Sequence, residues 1–333
     1  MSKQQIHCYL VEQSESKEIR SRLAKVQAPK LQEGDVLVRV ECSSLNYKDA
    51  MAATGNPGIV KSFPHIPGID AVGVVETSRD SRFEVGDQVI ATGHELGVER
   101  WGAWASHVVA PSDWLVQLPA GLSAIEAMTL GTAGFTAAQC VAAIVDHGCK
   151  TDDGPIIVSG ATGGVGSIAV MLLAHLGYQI VAVTGKQDRH AWLKEIGASE
   201  VTGRDSLDSD AKRPLLKGEF AAGIDTVGGK VLATMLKKIQ HRGCVACCGV
   251  TGGAELPTTV FPFILRGVAL YGIDSAWCPD DLRTDIWDRL ATDWKLPRLL
   301  DAKVDLTLTT VDAAINAILE GKFAGRGVIR IAE

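Results

Sequence analysis

An apolar run that ends in a glycine turn and re-emerges as a helix sets the centre of this 333-residue chain. Ile156-Ile-Val-Ser159 reads as a buried strand; Gly160, Gly163, Gly164 and Gly166 follow, and residues 167–176 read as a helix. Binding a dinucleotide pyrophosphate needs that order. Glycines remove the side chains that would hold the backbone away from the phosphates, and the helix N-terminus offers unpaired N–H groups with a partial positive charge. A glycine motif alone is weak evidence, but a second apolar strand at 179–184 completes the strand-helix-strand unit. Thr162, Gly163, Gly164, Val165, Gly166 and Ser167 are the residues expected against the cofactor.

The end of the second strand separates the two nicotinamide cofactors. An NAD site places an acid there for the ribose 2′-OH, whereas an NADP site supplies cations for the 2′-phosphate. Here the strand ends Val183-Thr184-Gly185-Lys186-Gln187-Asp188-Arg189, with no acid at the tip and two cations just beyond it. Arg204, after the third strand, is placed to close the same pocket. Asp188 is the discordant residue and is read as the N-cap of a helix over 189–196. Thr184, Gly185, Lys186, Arg189 and Arg204 therefore join the cofactor-binding set, and NADPH is the expected cofactor.

Before this region the texture differs. Residues 1–125 read as short strands and turns: Asp35-Val-Leu-Val-Arg-Val-Glu41 alternates apolar with polar, and 69–77, 88–92 and 103–110 carry β-branched runs punctuated by prolines. Ser123-Ala-Ile-Glu126 fits a capping box opening a helix that breaks near Gly131–Gly134 and resumes to Val145. Six strands separated by helical segments then suit a doubly wound parallel sheet. A helix over 311–320 and a strand over 327–331 close the chain and are expected to return to the first module. The expected division is a β domain of 1–125 and 280–333 and a nucleotide domain of 126–279.

The formal net charge of −6, with no basic run longer than two residues, argues against a nucleic-acid surface. No stretch is read as reaching the roughly 20 apolar residues of a membrane span, and the first eleven residues lack a signal-peptide core. The expected location is cytoplasmic. Eight scattered cysteines suit reduced thiols, and Cys244-Val-Ala-Cys247-Cys248 reads as a buried strand before it reads as a redox or metal pair.

Taken with the β-rich front, Ala161-Thr-Gly-Gly-Val-Gly166 and Gly131-Thr-Ala-Gly-Phe-Thr136 make the chain resemble the medium-chain dehydrogenase/reductase superfamily essentially end to end. Ser43-Ser-Leu-Asn-Tyr-Lys-Asp49, Ile66-Pro-Gly-Ile-Asp70 and Pro262-Phe-Ile-Leu-Arg266 resemble its zinc-independent quinone oxidoreductase branch, and within it the acryloyl-CoA reductase subgroup. The resemblance implies an α/β fold: a Rossmann doubly wound parallel sheet plus a discontinuous chaperonin-10-like β-barrel domain. It also implies NADPH, a homodimer and reduction of an activated carbon–carbon double bond. Zinc-dependent relatives carry a cysteine where this chain has Asn46, and Gly-His-Glu where it has Gly68-Ile69-Asp70; no metal is expected. Gly93-His94-Glu95 mimics that signature but lies outside the matching segment and is read as a loop histidine.

Hydride delivery to the β-carbon of an α,β-unsaturated carbonyl needs an oriented alkene, hydrogen bonds to the enolate and a proton for the α-carbon. The resemblance places Asn46-Tyr47 beside the nicotinamide, with Tyr47 as polar contact and candidate proton donor and Asn46 on ribose or carboxamide. Asp49 is expected to fix Lys48 or a loop N–H. Gly249, Val250 and Ser275 follow the fifth and sixth strands and are expected at the nicotinamide end, with Ile264 nearby. Lys61, Arg100 and Arg266 are cations available to coenzyme A phosphates, without an assignment. The last parallel strand, 268–273, is apolar and read as a sheet edge that a second copy would cover. Three functions follow: an enoyl-thioester reductase acting on acryloyl-CoA, a quinone or enone reductase, or a cofactor-binding sensor without turnover.

Overall fold

The computed structural model describes residues 4–207 and 213–331. It contains two units, Met1–Thr132 with Ala276–Ala291 and Ala302–Glu333, and Ala133–Ser275 with Thr292–Asp301. In chain order the first carries β1 (Gln5–Gln13), β2 (Ile19–Gln27), β3 (Asp35–Leu45), α1 (Tyr47–Ala53), β4 (Asp70–Ser78), β5 (Gln88–Thr92), β6 (His107–Pro111) and β7 (Leu115–Gln117). Helix α2 (Ala124–Asp146) leads to β8 (Ile156–Val158), α3 (Gly164–His175), β9 (Ile180–Val183), α4 (His190–Glu195), β10 (Glu200–Thr202) and β11 (Phe220–Asp225). Then come α5 (Gly229–Lys238), β12 (Ile239–Cys247), α6 (Phe261–Arg266), β13 (Ala269–Gly272), α7 (Asp280–Ala291), β14 (Lys303–Thr307), α8 (Val311–Leu319) and β15 (Arg326–Arg330).

In the first unit β1 and β2 form a hairpin, and seven strands form a sheet of order β14-β15-β3-β4-β5-β7, with β6 also paired to β3. All these pairs are antiparallel except β14 with β15. Two slips along β3 and β4 shape it. Val38 pairs with Val75 after Leu37 pairs with Thr77, and Cys42 pairs with Val72 after Val40 pairs with Gly73, so Glu76 and then Glu41 are extra residues. An extra residue reverses which face the following side chains occupy. Val36, Val38 and Val40 pack with Val75 and Val89 in one core, while Leu45, at the end of β3, packs with Ile66, Trp104 and Ile329 in another. Because β3 ends at Leu45 and α1 starts at Tyr47, residues 43–46 lie at the base of α1.

The second unit holds a six-stranded parallel sheet of order β10-β9-β8-β11-β12-β13. The order reverses between β8 and β11, the position where doubly wound sheets bind ligands at their carboxyl ends. Ile157, Val181, Val183, Leu232, Met235 and Val245 supply one face of its core.

Helix α2 corrects one expectation. It is long and apolar enough to cross a membrane, yet 83% of its most apolar window is buried in the protein, as in a core helix. It opens on the expected box, Ser123 N–H donating to Glu126 at 2.8 Å and Glu126 N–H to Ser123 Oγ at 3.2 Å. Its break is at Gly131, with φ +50°. Cys244 is fully buried in β12 and burial pushes its thiol up to about 12, so Cys244–Cys247 is core strand rather than a reactive pair.

Candidate active site

The segment 44–49 forms a buried polar network because α1 starts where β3 ends. Asp49, the third residue of the helix, reaches back to accept the Asn46 N–H at 2.8 Å, which closes the helix start. Its other oxygen accepts N–H bonds from Gly68 at 3.1 Å and Ile69 at 2.8 Å, so one carboxyl pins both the helix and the 66–70 turn. The loop N–H role expected of Asp49 is therefore seen. Burial, reinforced by the charge of Asp70, pushes its pKa up to about 7 despite those bonds.

Asp70, fully buried, is the second carboxylate. It accepts from the Ser44 hydroxyl, from Thr132 N–H at 2.9 Å, from Thr132 Oγ1 at 2.5 Å and from Asn46 Nδ2 at 2.8 Å. Asn46 Nδ2 also lies 3.0 Å from Asp49 and 3.1 Å from Ser44 Oγ, while its carbonyl accepts from Arg326 Nη1 at 3.2 Å. The Arg326 guanidinium, buried at the start of β15, donates to Thr129 O at 2.9 Å and stands 4.0 Å from Asp70. Gly131 permits this packing. A Cβ there would sit 2.5 Å from Asp70 Oδ2 and 2.8 Å from Arg326 Nη2, and its positive φ favours glycine independently. Two carboxylates share one guanidinium, and the raised Asp49 leaves the network near neutrality when that carboxyl holds its proton.

Tyr47, the first residue of α1, is 44% exposed. Its neighbour Asn46 is 8% exposed with both ends of its amide engaged in the network, so the amide positions the Tyr47 backbone. Sequence reasoning missed Ser44, Thr132 and Arg326 and met Asp70 only as the replacement of a metal ligand. Arg326 lies 280 residues from Asn46, and nothing in its local sequence marks it as buried.

In the second unit the glycine turn has the geometry its motif requires. Gly163 caps α3, and its N–H bonds Gly160 O at 2.9 Å. A Cβ on Gly166 would meet Gly160 O at 2.4 Å and Ala161 Cα at 2.8 Å, so helix and turn touch backbone to backbone. Gly164, Val165 and Ser167 complete the first helical turn, with Ser167 N–H on Gly163 O at 2.9 Å. Thr162 Oγ1 lies 3.2 Å from Thr184 Oγ1, tying the turn to the tip of β9, and Thr184 Oγ1 accepts Lys186 N–H at 3.1 Å. The expected cations converge here: a Cβ on Gly185 would lie 2.6 Å from Arg204 Nε. Burial, then the charges of Arg189 and Arg204, push the Lys186 ammonium down from the usual lysine range.

Asp188 departs from expectation. It lies inside a 3-10 turn, Gln187–Arg189, the cap position of α4 is Arg189, and Asp188 pairs with that arginine at 3.3 Å. Gly249 packs on the neighbouring strand end, where a Cβ would lie 1.9 Å from Thr226 O, and Val250 projects beside Gly228 with 68% exposure. Ile264 is 67% exposed on α6, and Ser275 follows β13 half-buried; neither is among the residues gathered at the glycine turn. Of the cations available to coenzyme A, Arg100 pairs with Asp35 at 3.2 Å and Arg266 donates to the Lys237 and Ile239 carbonyls at 2.9 Å, whereas Lys61 holds only Pro57 O at 3.2 Å.

Two family models match, an alcohol dehydrogenase GroES-like domain over residues 32–120 and a zinc-binding dehydrogenase over 164–292. A probable acrylyl-CoA reductase, AcuI, of Escherichia coli K12 is 47% identical over 97% of this chain and 98% of that protein. A putative quinone oxidoreductase, YhfP, of Bacillus subtilis is 46% identical over 89% of this chain and 90% of its own length. Among solved structures, the yhdH oxidoreductase of Salmonella enterica in complex with NADP superposes with a TM-score of 0.94 at 44% identity, covering 98% of this chain and all of that one. Bacillus subtilis yhfP with NAD bound gives 0.94 at 42%, with the same coverage.

Zinc, which the second family model implies, does not fit the residues present. Zinc sites in proteins use thiolate, imidazole and free carboxylate ligands. Asn46 offers an amide N–H that already donates, Asp70 is saturated by donors, and a guanidinium stands beside it. Among the described residues no group of three or more His, Cys, Asp or Glu is arranged to hold a metal. His94 stacks on Trp114 with ring centroids 5.3 Å apart, and burial pushes it down to about 4. With a GroES-like β unit, a six-stranded Rossmann sheet and relatives matched along nearly their whole length, this chain belongs to the medium-chain dehydrogenase/reductase superfamily.

Proposed function

We propose that this chain is an NADPH-dependent reductase of α,β-unsaturated thioesters, converting acryloyl-CoA to propionyl-CoA. The observation that carries the reading is the 47% identity, over nearly the whole of both chains, to a protein named as an acrylyl-CoA reductase. Three cations near the tip of β9 support NADPH: in this reading Lys186, Arg189 and Arg204 neutralise its 2′-phosphate, and the amides of Gly163–Gly166 hold the pyrophosphate. Bound NADPH supplies the hydride that the alkene β-carbon accepts.

The chain's own residues have the remaining work. A thioester carbonyl takes up the developing negative charge as its enolate and needs an oriented hydrogen-bond donor. Tyr47 is that donor in this reading and the candidate source of the α-proton, with Asn46, Asp49, Asp70 and Arg326 holding its backbone in place. Gly249, Val250, Ile264 and Ser275 are proposed around the nicotinamide. The half-exposed edge strand β13, with exposed Val260, Ile264 and Leu265 near it in sequence, is proposed to pair with a second copy. Light scattering should give a dimer mass; a monomer at micromolar concentration refutes that pairing. The eight unbridged cysteines suit a reducing compartment, the cytoplasm in this reading.

A second reading has its own support in the 46% identity to a putative quinone oxidoreductase. Initial rates of NADPH oxidation with acryloyl-CoA, crotonyl-CoA and a simple quinone separate the two. The thioester reading expects acryloyl-CoA to have the largest kcat/KM, and a quinone ahead by a large factor overturns it. Tyr47→Phe should lower turnover about 10²-fold while leaving stability within about 0.5 kcal/mol, since the side chain is exposed.

A further inference from the structure

At the amino ends of β11 and β12, away from the carboxyl ends where dinucleotides bind, the sheet carries an irregularity that the proposed chemistry does not use. Phe220 pairs with Ile239 and Ala222 with Cys244, so four residues of β12, Gln240–Gly243, face the single residue Ala221. The excursion is held in a defined form. Arg242 has φ +58°, in the left-handed region where arginine is strained. Its carbonyl accepts a 2.8 Å bond from His147 Nε2, and Nδ1 of the same ring lies 2.8 Å from Tyr271 Oη. Gly243 then returns the strand so closely that a Cβ would lie 2.2 Å from Ala221 O. Bulges and strained non-glycine residues gather at binding sites.

The excursion borders a hollow of about 320 Å³ lined by His147, Cys149, Asp153, Gln240, His241 and Arg242. A second hollow of about 390 Å³ shares Gln240 and His241 and adds Arg266. Both volumes are within the range of small-ligand pockets. Arg242 lines the first hollow, Arg266 the second and His241 both, with one carboxylate residue, Asp153 in the first, whose Oδ2 accepts Lys150 N–H at 2.8 Å. The Arg266 guanidinium is spent on backbone carbonyls, so it contributes charge, whereas Arg242 is exposed and supplies directed donors.

We infer that this hollow is a second binding site, distinct from the dinucleotide turn, for a small phosphate-bearing ligand held by Arg242, His241 and Gln240. The inference does not depend on the reductase reading. The test titrates inorganic pyrophosphate into the full chain saturated with NADP⁺, followed by calorimetry, so that the glycine turn is already filled. Saturable one-site binding is expected. Arg242→Gly should weaken it about tenfold, with NADP⁺ affinity unchanged and Tm equal or higher, because glycine takes a positive φ without strain. His241→Ala should weaken it several-fold. Absence of saturable binding, binding only when NADP⁺ is left out, or an Arg242→Gly variant that binds as well as the parent chain each overturns the site. If Arg242→Gly lowers Tm, Arg242→Asn, which also tolerates this backbone, replaces it with the same expected loss.

Discussion

The glycine turn of the second unit and the polar network of the first are built from opposite materials. At the glycine turn backbone packs on backbone, and the side chains that matter are those that are missing. In the network beneath Tyr47 the buried side chains of Ser44, Asn46, Asp49, Asp70 and Arg326, with the half-buried Thr132, bind one another and nearby backbone groups. The first needs correct local spacing alone. The second needs a correct tertiary fold before any of its members makes sense. Its members are also coupled, because removing one leaves a buried charge or donor without its partner.

That contrast can be broken most severely at Arg326. Replacing it with methionine keeps the volume but leaves Asp49 and Asp70 without their cation. Denaturant unfolding should show a loss of about 3–5 kcal/mol, and a loss below about 1 kcal/mol would mean that the network is not coupled. The next test uses proton linkage. The Asp49 pKa is raised in the fold from 3.8 to about 7, so the folded chain holds this proton more tightly than the unfolded chain. The stability from this group is fully present below pH 4 and is lost as pH rises through about 7. About three pH units correspond to a decline on the order of 4 kcal/mol from this group. Asp49→Asn, though less stable throughout, should show a flatter profile between pH 4 and 7; an unchanged slope would remove Asp49 as its source. The smallest effect on folding is expected at the turn. Gly166→Ala forces a Cβ against Gly160 O at 2.4 Å, costing about 1–3 kcal/mol while reducing NADPH affinity far more than Arg326→Met does. Equal losses of affinity in the two variants would erase the distinction.

The same contrast explains what could be read from sequence. The strand, glycine turn, helix and second strand were legible because each obeys a local rule, and the six parallel strands followed from repetition of that rule. That Lys186, Arg189 and Arg204 come together beyond the second strand was legible because they follow the ends of adjacent parallel strands. Asp188 misled because an acid before a helix usually caps it, whereas here a 3-10 turn intervenes and Asp188 pairs with Arg189. Arg326 and Thr132 were not legible, because only the return of β15 to β3 and the break of α2 at Gly131 bring them against Asn46 and Asp70. The excursion at Gln240–Gly243 was not legible because Gln240-His-Arg242 is polar and precedes the apolar run that reads as the strand. Helix α2 was underestimated because its polar breaks are threonines, glutamine and glycine, which composition counts against an apolar span but which burial accommodates.

The central claim is hydride transfer to the β-carbon of an enoyl thioester, and isotope tracing tests it most directly. The chain should convert acryloyl-CoA with NADPH deuterated at the transferring C4 position in ordinary water, and the product be examined by mass spectrometry and NMR. The account predicts propionyl-CoA carrying one deuterium, located at the β-carbon, with a solvent-derived proton at the α-carbon. Deuterium at the α-carbon, or no propionyl-CoA while a quinone is reduced at speed, would contradict it.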